Sequence, residues 1–174
     1  MKGLRSIPRI LKIHEISGYQ ASLLFNNGES RMVDFKQLLS QVLGITPGTV
    51  GFELLESPQK FRQMEIIGTT VGWAGMGISS KDEQGMEVFY PFELDPVLLF
   101  QHSTLDPKRT IQIGPKIRHA RMNAGLTQAE LAHRSGTSKH YISKLENNKS
   151  DIELLTLKKI VEAGLGKYLQ IEII

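Results

Sequence analysis

The sequence contains no cysteine. That absence excludes disulfides, thiolate nucleophiles and sulfur-ligated zinc, leaving any metal to His and carboxylates, and it fits a reducing compartment. Aromatic residues are sparse at 7%, with one tryptophan. No apolar run approaches the roughly 18 residues of a membrane-spanning helix, and the start, MKGLRSIPRILKIHEIS, has no continuous apolar block of signal-peptide type. A cytoplasmic protein with no membrane partner is the expectation. What is present is an ordinary globular composition, 40% hydrophobic and 22% charged over 174 residues, enough for one medium domain or two small ones. The formal charge of +3 is unevenly placed: residues 1–108 hold 10 basic and 12 acidic side chains, and residues 109–174 hold 11 and 6. A basic C-terminal third suits a polyanionic partner.

The first hundred residues read as short strands. Ile10–Ile16 and Tyr19–Phe25 are rich in β-branched and aromatic residues, Ser17-Gly18 separates them, and Asn27-Gly28 supplies a tight turn before Glu29–Asp34, so a three-stranded meander is expected. The period then changes: Phe35, Leu38, Leu39 and Val42 fall at helical spacing, ended by Gly44. Pro47-Gly48 marks a turn, and Ser57-Pro58 starts a helical turn carrying Phe61 and Met64. Further strands are expected at Glu65–Ile67, Thr70–Trp73 and Met86–Tyr90, and Asp95-Pro96 opens another helix. The glycine-rich run Gly72-Trp-Ala-Gly75-Met-Gly77 lacks the Lys-Ser/Thr of a phosphate loop and reads as turns between strands. Trp73 reads as core. The polar stretch STLDPKRT, Ser103–Thr110, reads as a linker. The expected domains are 1–103, β-rich; 104–112, linker; and 113–174, helical.

The last domain is dense in capping signals. Ile113, Ile117, Ala120 and Ala124 form a helical stripe that stops at Gly125. Thr127-Gln-Ala-Glu130 is a capping box, flanked by Leu126 and Leu131 as a hydrophobic staple, so a second helix runs from about Gln128 to Ser135. Gly136 takes the turn, Ser138 caps a third helix through Asn147 with Tyr141, Ile142 and Leu145 inward, and Leu154, Leu157, Ile160 and Val161 mark a fourth. Tyr168–Ile174 alternates apolar and polar residues, which predicts a C-terminal strand that could pair across a two-fold axis or return to the β-rich domain. The fold class is therefore α+β: a small β-rich domain, then an all-α domain with a terminal strand.

Two short helices joined by a glycine turn, the second with polar residues outward, describe a helix-turn-helix whose second helix fits the major groove of double-stranded DNA. Ser138, Lys139, His140, Ser143 and Lys144 lie on or beside that helix's outer side, while Gln128, Asn147 and Lys149 can donate to phosphates. Lys116–Lys149 holds seven Lys or Arg against two acids. The alternatives are a ligand-sensing regulator, which needs a concave apolar pocket in the N-terminal domain, and a pure protein-interaction module. Enzyme readings find little: Glu130 and His133 are a single E-x-x-H pair, the histidines are scattered, and no G-x-S-x-G elbow exists, so neither a catalytic residue nor a cofactor is expected. Arg121 and Glu146, on the inward faces of the first and third helices, are expected to meet as a buried pair.

The run LTQAELAHRSGTSKHYISKLENNKS, Leu126–Ser150, closely resembles the lambda-repressor-like (Xre-type) helix-turn-helix family, and the likeness extends over Ile113–Leu165. That resemblance implies a DNA-binding regulator with Gln128, Lys139, His140, Ser143, Lys144 and Asn147 facing DNA, and a homodimer is expected because one recognition helix covers only one half-site. The ending GLGKYLQIEII is similar to antitoxins of the host-inhibition-of-growth type, which repress their own operon; this implies an autoregulating repressor or antitoxin with a toxin encoded nearby. The N-terminal region resembles a small β-rich bacterial domain of unknown function found alone or fused to helix-turn-helix domains. Pro8-Arg9, Leu24-Phe25, Asn27-Gly28-Glu29, Val33-Asp34, Leu38-Leu39, Phe61 and Leu94 carry that likeness. Against it, Ala74–Gly85 is long and reads as a local elaboration.

Overall fold

The computed structural model describes residues 7–172. The chain divides into two compact units, residues 1–110 and 111–174. The first is built on β1 (Ile10–Ser17), β2 (Gln20–Phe25) and β3 (Ser30–Asp34), an antiparallel meander closed by turns at Gly18-Tyr19 and Asn26-Asn27-Gly28. Asp34 caps α1 (Phe35–Gln37) by accepting from the Gln37 N–H, and a π-helical turn, Leu38–Val42, continues it. The short helices α2 (Phe52–Glu56) and α3 (Pro58–Phe61) follow, the latter capped by Ser57 with Pro58 in its first turn. A second sheet comprises β4 (Glu65–Ile67), β5 (Thr70–Lys81) and β6 (Glu87–Glu93), in the order β4-β5-β6. After α4 (Pro96–Gln101) comes β7 (Ser103–Leu105).

Phe25, Phe35, Phe61 and Trp73 form the centre of this unit, packed with Leu23, Leu39, Leu54 and Leu99. Trp73 is core as expected, 3% exposed, and its indole N–H donates to the Phe61 carbonyl at 3.0 Å. That bond satisfies the one polar atom a buried tryptophan brings with it.

Two expectations are corrected here. Ser103–Thr110 is no linker at its start: β7 pairs antiparallel with β3, Val33 opposite Ser103 and Arg31 opposite Leu105, making the first sheet four-stranded in the order β1-β2-β3-β7. Its two buried polar residues, Ser103 and Asp106, are both hydrogen-bonded. Arg31 donates to the Ser103 hydroxyl at 2.7 Å and to its carbonyl at 2.8 Å, and Asp106, 2% exposed, accepts from the Ser22 hydroxyl and the Lys108 N–H. Polarity mimicked a loop, and the partners lay some seventy residues away in the chain.

The glycine-rich run is likewise strand, not turn. It lies inside β5, which extends through Lys81 and returns at Asp82–Met86, so Ala74–Gly85 supplies one strand and the turn of a long two-stranded ribbon. The ladder slips between Trp73 and Gly77, leaving residues 74–76 without opposites on β6. Gly77 is required where pairing resumes, because a Cβ there would stand 2.0 Å from the Tyr90 carbonyl oxygen. Gly77→Ala is therefore expected to force the two strands apart, at a cost of about 1–3 kcal/mol, the range for overpacking. Urea unfolding followed by Trp73 fluorescence reads it, and an unchanged midpoint would show that the ribbon yields freely.

The second unit is helical: α5 (Ile113–Asn123), α6 (Gln128–Ser135), α7 (Lys139–Glu146) and α8 (Leu154–Lys159), with a π-helical turn at Ile160–Gly164. Ile117, Leu131, Ala132, Ile142, Leu145, Leu157 and Ile160 form its core. The expected strand over Tyr168–Ile174 does not form as far as Glu172; Ile173 and Ile174 lie outside the described residues. Alternation alone makes no ladder without a neighbouring strand, and Leu169 packs instead against the helical core. No helix among the described residues is long and apolar enough to cross a membrane.

Candidate nucleic-acid interface

The paired helices are set by local chemistry. Thr127 Oγ1 accepts from the Glu130 N–H at 3.2 Å while Glu130 Oε2 accepts from the Thr127 N–H at 2.7 Å, the reciprocal capping box that starts α6. These bonds from Thr127 hold the Glu130 carboxyl below its ordinary range, so it serves as a helix-starting group. Leu126 and Leu131 are both buried, as the staple requires. Gly136, at φ 63°, ends α6 in the left-handed conformation that side chains disfavour, and it turns the chain within three residues. Ser138 Oγ then accepts from the Tyr141 N–H at 3.1 Å and opens α7.

The face that α7 turns inward is decided by Ile142, Leu145 and Glu146, all at most 4% exposed. The expected pair is present. Arg121 Nε and Nη2 donate to the two Glu146 oxygens at 2.6 and 3.0 Å, with side chains 12% and 1% exposed, and Arg121 Nη1 donates to the Leu126 carbonyl at 2.7 Å. Burial pushes the Glu146 carboxyl up, but the bonds from Arg121 and Gln128 outweigh it and hold the group below the ordinary carboxylate range. The same bond to Glu146 raises Arg121 above the usual guanidinium value.

With that side fixed, His140 and Lys144 stand exposed on the opposite side of α7 and Lys139 and Asn147 stand exposed at its two ends, with Ser143 half-buried between them and Lys149 exposed just beyond. Lys139, His140, Lys144 and Lys149 make no ion pair or side-chain hydrogen bond among the described residues, whereas Asn147 Nδ2 donates to the Ser143 carbonyl at 2.7 Å. Ser138 is exposed but spends its oxygen on the cap. Gln128 is corrected in part. Its Nε2 donates to Glu146 Oε2 at 2.9 Å and the residue is half-buried, so it completes the buried cluster and only its remaining amide valences are left for a phosphate. Sequence reading missed this third member because Gln128 and Glu146 lie eighteen positions apart on different helices.

Residues 117–163 match the family model described as helix-turn-helix. This segment is a helix-turn-helix domain. No curated protein matches the sequence. Among solved structures, the wild-type restriction-modification controller protein C.Esp1396I is similar at 30% identity over 33% of this chain and 74% of its own, with a TM-score of 0.32. A single-residue variant of that controller is similar at 28% identity, with 33% and 71% covered and a TM-score of 0.32. The protein NE0471 from Nitrosomonas europaea aligns over 88% of this chain and 84% of its own at 13% identity, with a TM-score of 0.33. The helix-turn-helix segment covers the residues that sequence reading singled out on α6 and α7, from Gln128 to Lys149.

Proposed function

We propose that this protein is a sequence-specific DNA-binding transcriptional regulator that binds double-stranded operator DNA as a homodimer and represses by occupying it. The observation that carries the reading is the outer face of α7. On a helix whose opposite side is anchored by Ile142, Leu145 and the Arg121–Glu146 pair, Lys139, His140 and Lys144 stand exposed with no intramolecular partner among the described residues. Unpaired donors on a helix that can enter the major groove are what base readout requires. A homodimer follows from the geometry of DNA: one recognition helix covers one half-site, and a second copy reaches the next about 34 Å further on. The narrower form of the reading is an antitoxin that represses its own operon and binds a toxin encoded nearby; the similarity of the tail GLGKYLQIEII to host-inhibition-of-growth antitoxins supports it. Co-purification with the product of a neighbouring reading frame tests that form.

The test of the main reading is selection of binding sites from random duplexes at fixed salt. His140→Ala and Lys144→Ala are expected to relax preference at particular base pairs, each contact contributing about 1–3 kcal/mol of discrimination. Lys149→Ala is expected to weaken all sequences alike and flatten the salt slope by about one per subunit. Wild-type preferences in both α7 variants would mean that α7 is not the reading helix.

A further inference from the structure

Asp106 is a buried carboxylate lying just ahead of the division between the two units, and it organises the turn that ends the first of them. Its Oδ1 accepts from the Lys108 N–H at 2.9 Å, and its carbonyl accepts from the Thr110 N–H at 2.9 Å and the Thr110 hydroxyl at 2.6 Å. The same residue pins the turn to the first sheet. Its N–H continues the ladder onto the Ser30 carbonyl of β3 at 2.9 Å, and its Oδ2 accepts from the Ser22 hydroxyl of β2, on the sheet face away from Leu23, Phe25 and Val33. Lys108 Nζ lies 3.9 Å from Glu15 of β1. While these bonds hold, Ile111 and Gln112 alone separate the anchored Thr110 from α5; without them the free stretch is Asp106–Gln112. Five more free residues add about 17 Å of reach.

We propose that Asp106–Thr110 is an acid-released latch: closed beside a neutral His14 it leaves only Ile111 and Gln112 free between the units, and when His14 takes a proton it opens and frees the chain from Asp106 onward. The β1–β2 ladder slips between Ile13 and Glu15, so His14 has no opposite on β2, and its Nε2 stands 3.1 Å from the Ser30 hydroxyl, in hydrogen-bond contact. Ser30 is thus held by both His14 and the latch. The charged groups around the ring are Arg109 and Asp106 from the turn and Lys12 from its own strand, with Glu15 next to it in β1 held by Lys108. Burial, then Arg109, then Lys12 hold the ring below its ordinary range, and Asp106 opposes them only in part. Asp106 does not titrate with it. Burial pushes that carboxyl up, but the Ser22 hydroxyl, the Lys108 N–H and the Arg109 charge outweigh it and keep the group below the usual carboxylate range. Linkage fixes the direction: the closed form binds the proton less well than the open one, where His14 regains its ordinary value of about 6.5, so closure is complete above that pH and is lost as pH falls below it.

Amide hydrogen exchange of the full chain at about pH 8 and about pH 5.5, corrected for the intrinsic pH dependence of exchange and read on peptides covering Ser103–Gln112, measures the open fraction. Protection of the Asp106, Lys108 and Thr110 amides is expected to fall on acidification, with about tenfold as the ceiling one unit below the open form's value, while the amides of β2 and β3 keep theirs. His14→Gln can keep the bond to Ser30 but takes no proton, and its latch protection is expected to be equal at the two pH values. Arg109→Gln leaves His14 in place and removes the larger of the two repelling charges, so a smaller fall than in the wild type is expected. Asp106→Ala is expected to show low latch protection at both pH values over intact strands. Equal wild-type protection at the two pH values, an undiminished fall in His14→Gln or Arg109→Gln, or strand amides released together with the latch would each overturn the proposal. No DNA enters the measurement, so the outcome is independent of the regulator reading.

Discussion

Arg121→Met is expected to destabilise the helical unit by about 3–5 kcal/mol, the cost of leaving a buried charge without its partner. The Glu146 side chain is 1% exposed and would keep only the Gln128 amide. The double variant Arg121→Met with Glu146→Leu is expected to recover most of that loss, since an apolar pair of similar volume removes the orphan charge and its desolvation cost together. Urea titration by far-UV circular dichroism compares the three proteins. A double variant no more stable than the single one would mean that the pair's geometry, not its charge balance, holds α5 against α7. The pH dependence has a definite sign. The folded Glu146 carboxyl lies below its unfolded value, so the stability it contributes is complete above about pH 4.3, the unfolded carboxylate range, and is lost as pH falls through the folded value. In Arg121→Met the main lowering influence is gone while burial still raises the group, so acid destabilisation is expected to begin at higher pH.

The helix-turn-helix was legible because its signals are local. Thr127 with Glu130, Gly136, and Ser138 each act within four residues, and the structure places helix ends where those residues predict them. The Arg121–Glu146 pair was legible for a related reason: helical periodicity put both side chains on inward faces, and opposite charges facing one core have few other partners. What escaped was non-local. β7 was hidden because Ser103 and Asp106 are satisfied by Arg31 and Ser22, which no window around residue 103 contains. The continuation of the strand past Trp73 through Gly77 was hidden because glycine ordinarily argues against a strand interior, whereas the close approach of the β6 backbone makes it necessary at Gly77. At Tyr168–Glu172 the failure ran the other way, with a strand pattern and no strand to receive it. For the DNA-facing set, helical spacing found the exposed side chains of α7, but nothing in spacing revealed that Gln128 turns back to Glu146.

Phe61→Ala is expected to be the most damaging single substitution in the β-rich unit, at about 3–5 kcal/mol, the range for truncating a buried phenylalanine. The side chain is fully buried, and its ring lies 5.1 Å from Tyr19, 5.2 Å from Phe35 and 5.7 Å from Trp73, centroid to centroid. Each tilted or edge-on ring pair contributes about 0.5–1.5 kcal/mol beyond the area it buries, so one truncation removes three such contacts and leaves a cavity between strands and helices. Phe61 also ends α3 and gives its carbonyl to the Trp73 indole N–H, so backbone relaxation into the cavity would lengthen that bond. Trp73 is the chain's one tryptophan and reports directly. Its emission is expected to shift to the red, and its urea midpoint to fall. Phe89→Ala provides the contrast within the same unit: Phe89 is 49% exposed on the ribbon, and in a monomeric protein its loss is expected to cost no more than about 0.5 kcal/mol. Equal midpoints for the two variants would place the centre of this unit somewhere other than Phe61.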